Sequence, residues 1–124
     1  MSAGRVYLAP EDRHLGVDPG GRVLLSSEPP IGQFRPAADH LFASLARSLL
    51  PALGVILTGM GQDGTSGLRE LRAAGGTIVA QDEATSVVFG MPGAAIGAGL
   101  VDEVLPDDQI GPAITRIVER SWQN

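Results

Sequence analysis

Residues 54–64 read Gly-Val-Ile-Leu-Thr-Gly-Met-Gly-Gln-Asp-Gly, and this stretch decides the fold. Gly54 to Leu57 is a short unbroken apolar run, the pattern of a strand buried on both faces. Thr58 to Gly64 follows as a tight glycine loop. Leu68, Leu71 and Ala74 then recur at helical spacing, and Gly75-Gly76 supplies a C-terminal glycine cap. Downstream the order repeats. Thr77 to Ala80 is a second buried strand feeding the polar loop Gln81-Asp82-Glu83. Val87 to Phe89 leads through Gly90-Met91-Pro92 into a short helix ending near Ile96. Leu100 to Leu105 is a last strand. Pro106-Asp107-Asp108 opens a terminal helix with Ile110, Ile114, Ile117 and Val118 on one face. Repeated strand, loop and helix predict an α/β fold, a mostly parallel, doubly wound sheet built from right-handed βαβ units. The loops at 59–64 and 81–83 should then sit side by side at the carboxyl edge of that sheet, where such folds place function.

Upstream the pattern changes. Arg5 to Ala9 reads as a short strand closed by Pro10. His14 to Val17 and Arg22 to Leu25 flank Asp18-Pro19-Gly20-Gly21, which predicts an N-terminal β-hairpin. Ser26 to Pro36 is a linker. A helix then begins near Asp39, a candidate cap, with Leu41, Phe42, Leu45, Leu49 and Leu50 as its apolar stripe and Pro51 as its limit. About three core strands make a thin sheet that the hairpin cannot easily cover. Residues 1–124 therefore read as a single but partial domain.

Composition narrows the function. The chain has 124 residues with 44% hydrophobic and only 4% aromatic, so its core rests on Ala, Val, Leu and Ile. Net charge is −5 and every basic residue is arginine, which argues against a nucleic-acid surface and, with no lysine, excludes a phosphate-binding P-loop. The acidic pairs Glu11-Asp12, Asp82-Glu83, Asp102-Glu103 and Asp107-Asp108 read as a solvated face. Without cysteine there is no disulfide, thiolate catalysis or cysteine metal site. No signal pattern or run of ~20 apolar residues is present, so the expectation is a cytoplasmic chain without membrane insertion.

Two chemical readings compete at the glycine loop. Gly59-x-Gly61-x-x-Gly64 between strand and helix, with Asp82 at the end of the next strand, has the spacing of a dinucleotide fingerprint. Against it, Asp63 places a carboxylate where phosphate would sit, with no base nearby. Alternatively Asp63 is the acid of a hydrolase triad, orienting a histidine that activates a nucleophile, or simply an Asx turn capping the helix that follows. Spacing leaves these open. No Gly-x-Ser-x-Gly elbow occurs, and Ser66 lies too close to Asp63 to be separated from it by a histidine. His14 and His40 read as structural or exposed rather than as metal ligands, and no cofactor is called for.

The loop 54–68 taken with Gly75 to Glu83, Val88 to Pro92 and the upstream Val6-Tyr7-Leu8-Ala9-Pro10 and Arg13-His14-Leu15 resembles the C-terminal half of the chemotaxis protein-glutamate methylesterase (CheB) catalytic domain. The resemblance covers nearly the whole chain. It implies a serine esterase that removes methyl groups from chemoreceptor glutamates, with Asp63 as the triad acid and Met60 shaping the oxyanion pocket. It also implies that the family's Ser and His segments lie upstream of these residues, and that His14 matches a hairpin histidine rather than the base. A chain without that Ser and His is expected to be inactive alone. Three expectations follow: a piece of a split or truncated enzyme, a partner of a complementary half-domain chain, or a non-catalytic scaffold that self-associates as a homo-oligomer.

Overall fold

A computed structural model describes residues 3–123. The elements run β1 (His14–Val17), β2 (Val23–Ser26), α1 (Ala38–Ser48), β3 (Leu53–Ile56), α2 (Thr65–Ala73), β4 (Thr77–Gln81), α3 (Gly90–Gly97), β5 (Glu103–Leu105) and α4 (Asp107–Gln123). The α/β reading holds. β3, β4 and β5 form a parallel sheet in sequence order, with Leu53 opposite Thr77 and Val79 opposite Glu103. β1 and β2 form a separate antiparallel hairpin. Its turn is closed by Asp18, whose Oδ1 accepts the Arg22 N–H at 2.9 Å.

Alternation along β4 sorts the helices onto two faces. Ile78 and Ala80 join one core with Phe42 and Ala46 of α1, Leu68 and Leu71 of α2, and Ala95 of α3. Val79, also fully buried, points the other way, where α4 contacts β4 with Ile110 and Ala113 buried. The end of α2 is a glycine-terminated cap of the Schellman kind. Gly76 N–H donates to Leu71 O at 2.9 Å and Gly75 N–H to Arg72 O at 3.0 Å, with Gly75 at φ 94°.

Several expectations are corrected. Arg5 to Ala9 forms no strand, because among the described residues no strand lies beside it to offer a ladder. Its alternation survives in part, with Val6 and Leu8 more than nine-tenths exposed and Tyr7 less so, bordering a hollow with Leu15 and Leu41. α1 stops at Ser48, and Leu49 takes a left-handed conformation that throws its side chain into solvent, so neither it nor Leu50 belongs to the stripe. On α4, Ala113 replaces the exposed Val118 in the buried face.

The last strand starts three residues later than its apolar run. Asp102 interrupts the run by pairing with β4 through both backbone and side chain: its N–H donates to Ile78 O and its Oδ2 accepts the Ile78 N–H, each at 2.8 Å. Arg72 braces the same carboxylate at 2.9 Å. The acidic pairs are thus not uniformly a solvated face. Asp12 binds Arg35 at 2.7 Å, Glu103 binds Arg116 at 2.7 Å, and Asp82 caps a turn at Thr85.

Candidate active site

The loop after β3 is fixed from beneath. Gly59 N–H donates to Val88 O and Gly59 O accepts the Met91 N–H, both at 2.9 Å, so the segment 87–91 runs under the loop. A side chain at Gly90 would meet the backbone of Gly59 and Gly61 at 2.9 Å, which is why the approach needs glycine. Met60 stands out from this floor with 74% of its surface exposed. The loops 59–64 and 81–83 start from the same edge of the sheet: Gln81 Oε1 accepts the N–H of Thr58, the residue just before the glycine loop, at 2.8 Å. Gln81 is itself buried and its amide donates to Thr85 O, so it acts as a clamp between loops.

Asp63 follows in a chain that turns through Gly61 (φ 78°) and Gly64 (φ 103°). Its carboxylate accepts two backbone N–H groups from the first turn of α1, Ala38 to Oδ2 at 2.8 Å and Asp39 to Oδ1 at 3.0 Å. Asp39 returns the arrangement. Its Oδ1 accepts the N–H groups of Gly64 at 3.1 Å and Gly67 at 2.7 Å, at the start of α2. Neither helix is capped by its own N-cap residue, Ala37 or Gly64. The two carboxylates cap crosswise, each satisfying orphan amides of the other's helix.

This overturns the expectation that Asp39 caps α1 and the alternative that Asp63 caps α2. Asp39 is already inside α1, so its side chain is directed at the neighbouring helix. Charge-assisted bonds of this kind each contribute about 1.5–3 kcal/mol. Favourable helix-dipole placement adds about 0.3–1 kcal/mol per carboxylate.

The same geometry weighs against a dinucleotide site. The α2 N-terminus, where a pyrophosphate would bind, is filled by the Asp39 carboxylate. Asp82 is committed to its own turn, with Oδ1 accepting both the N–H and the hydroxyl of Thr85 at 3.0 and 2.7 Å.

Asp63 opens onto a cleft of about 440 Å³, flanked by Ile31 and Phe34 of the linker and by Thr65, Ser66 and Arg69 of α2. A carboxylate has roughly four acceptor positions, and the two N–H groups use two of them. Ser66 shares the cleft but has no imidazole to take its proton. His14 is fully buried. Its Nε2–H donates to Pro29 O at 3.0 Å and its Nδ1 accepts the Ala37 N–H at 3.2 Å. His14 is therefore a structural residue.

Sequence separation hid one pairing. His40 on α1 stacks on His14 with ring centroids 4.5 Å apart and planes within 7°. Burial holds the His40 pKa below the usual histidine value of 6.5, His14 and Arg47 push the same way, and Glu28, 3.7 Å away, opposes them. The sign follows from linkage: the folded state takes up this proton less readily than the unfolded chain. Stability from this group is therefore complete above pH 6.5 and declines as pH falls below it. Urea melts at pH 8.0 and 5.5 should show a loss on acidification that shrinks in His40→Asn. An undiminished loss in that variant would assign the acid sensitivity to other groups.

With this geometry in place, comparison with known proteins defines the class and then the family. The fold matches the crystal structure of the Thermotoga maritima CheB methylesterase catalytic domain with a TM-score of 0.84 and 39% identity, covering 90% of this chain and 61% of that one. The CheB methylesterase family model matches residues 1–114, and the chain belongs to that family. A protein-glutamate methylesterase/protein-glutamine glutaminase of Rhizobium meliloti (strain 1021) is 53% identical over 118 residues, 94% of this chain. One from Myxococcus xanthus (strain DK1622) is 60% identical over 107 residues, 84% of this chain. The chain spans about a third of the length of these relatives, 33% and 30% respectively.

Among the described residues no helix is long and apolar enough to cross a membrane.

Proposed function

We propose that this chain is the acid-bearing, C-terminal portion of a protein-glutamate methylesterase catalytic domain, acting in the cytoplasm on methylated chemoreceptors. In that reaction a serine hydroxyl attacks the side-chain ester carbonyl and methanol leaves with the proton the histidine took from serine. Water then cleaves the acyl-enzyme, deprotonated by the same histidine. Asp63 orients that histidine and stabilises its charged form. Met60, on the same loop, borders the oxyanion pocket. The glutaminase activity named for the relatives fits the same steps, with ammonia leaving instead of methanol.

The observation that carries this reading is the placement of Asp63. It is a carboxylate on a braced loop at the carboxyl end of β3, held by two N–H groups, beside an open cleft. His14 and His40 stack on each other away from this loop, so on this reading serine and histidine belong to a part of the catalytic domain outside residues 1–124.

The free border of β3 suits such a companion. Ala52 O and Thr58 N–H bond toward β4, so by alternation Leu53, Val55 and Leu57 direct their backbone groups to the open side. Exposed Leu57, Met60 and Val87 lie at the adjoining end of the sheet. A homo-oligomer through the same border is the competing arrangement.

The test is methanol release from a methylated receptor fragment. This chain alone should give none. Mixed with the part of the Thermotoga maritima catalytic domain that it does not match, it should give turnover that Asp63→Asn removes. Turnover by the chain alone would overturn the half-site reading, and none in the mixture would favour a non-catalytic scaffold.

A further inference from the structure

Asp63 does not hold its own position. Its loop is joined to α1 by bonds running in both directions, and the return bonds come from one side chain. Asp39 Oδ1 accepts from Gly64 at 3.1 Å and Gly67 at 2.7 Å, which ties down the residue directly after Asp63 and the first turn of α2. The Asp39 N–H in turn donates to Asp63 Oδ1 at 3.0 Å. One residue therefore fixes the loop from behind and the carboxylate from in front. The close approach is permitted by Gly67, where any Cβ would lie 2.7 Å from Asp39 O.

We infer that Asp39 is a positioning residue for Asp63, setting the direction in which the Asp63 carboxylate meets an incoming imidazole. The inference rests on the methylesterase reading for its kinetic consequence, but its geometric content stands without it. Asp39 Oδ1 is taken up by Gly64 and Gly67, and it is through these bonds that Asp39 acts on Asp63, while the residue also borders the same cleft. Geometry of this kind matters because a misplacement of about 1 Å in a reacting constellation can cost on the order of 10²-fold in rate. The acceptor atom, rather than the charge, is what the two glycine N–H groups require. Asn retains an acceptor oxygen at the same reach, Glu moves it by one methylene, and Ala removes it.

The test reads Asp63 directly, through its side-chain ¹³Cγ resonance and the through-bond coupling from the Ala38 amide nitrogen to that carbon. Both should be kept in Asp39→Asn and altered in Asp39→Ala and Asp39→Glu. In the mixture with the complementary half-domain, Asp39→Ala should lower kcat about 10²-fold with KM little changed, and Asp39→Asn should restore most of it.

Thermal melts separate this from plain support of the fold. If Asp39→Ala lowers the melting temperature while the Asp63 signals stay as in the wild type, Asp39 is structural only and the inference fails. If Asp39→Ala does not fold, Asp39→Glu and Asp39→Asn decide, since equal disturbance of Asp63 by both would also overturn it. Should the mixture show no activity at all, the methylesterase reading fails, while the resonance comparison still decides the role of Asp39.

Discussion

On the proposed methylesterase reading, Asp63→Asn should lower methanol release by the chain, mixed with a Ser- and His-bearing remainder of the catalytic domain, by about 10⁴-fold in kcat. This is the scale seen when a triad acid is replaced by its amide. The substitution is almost isosteric, and an Asn oxygen can still accept one of the N–H groups of Ala38 and Asp39. What it removes is the charge that stabilises an imidazolium, and one of the two acceptors now engaged at 2.8 and 3.0 Å. The loss should therefore fall on kcat rather than on KM. Loss of one of these bonds costs about 1.5–3 kcal/mol in stability, too little to explain four orders of magnitude in rate in a chain that stays folded. A variant retaining more than a tenth of the activity would show that Asp63 is only a helix cap.

Gly67→Ala should destabilise the chain by about 1–3 kcal/mol, although the same exchange in an open helix is favourable. Two effects oppose each other. Helix propensity favours Ala over Gly by about 1 kcal/mol. The added methyl, however, would lie 2.7 Å from Asp39 O and 2.8 Å from Phe42 Cβ. The first of these is backbone and the second lies next to it, so neither can swing aside as the end of a flexible side chain would. The helices must separate, which also stretches the 2.7 Å bond from Gly67 N–H to Asp39. The clash should win. Gly97→Ala in α3, where nothing lies within 4 Å of the added atom, is the control and should be neutral or slightly stabilising. Chemical denaturation of the two variants side by side checks the sign of each. A gain in stability for Gly67→Ala would mean that α1 and α2 sit further apart than described.

The parallel sheet was legible because its evidence is local. The runs at 54–57 and 77–80, the glycine loop between strand and helix, and Gly75-Gly76 after α2 each announce themselves within a few residues. The hairpin was legible for the same reason. The crosswise capping was not, since it depends on two helices approaching at Gly67, a tertiary fact with no local signature beyond a glycine inside a helix. The stacking of His14 on His40 and the bond of Asp102 to Ile78 likewise join residues more than twenty positions apart. Asp63 could be singled out by its loop, but the group it satisfies could not. The reading of Arg5 to Ala9 as a strand had the right pattern and lacked a neighbour, since alternation describes a strand's faces and says nothing about what lies beside it.

The two borders of the sheet are unequal, and this bears on stoichiometry. β5 is three residues long, is preceded by a carboxylate that already engages β4, and carries Glu103 paired with Arg116. Short, charged borders of this type do not recruit further strands. Among the described residues no strand lies on the outer side of β3, which carries apolar residues. A sheet adhesive on both sides would polymerise head to tail without limit. With one border open and one blunted, any strand addition to this sheet would be confined to the β3 side, so association by that route would give pairs and not fibres.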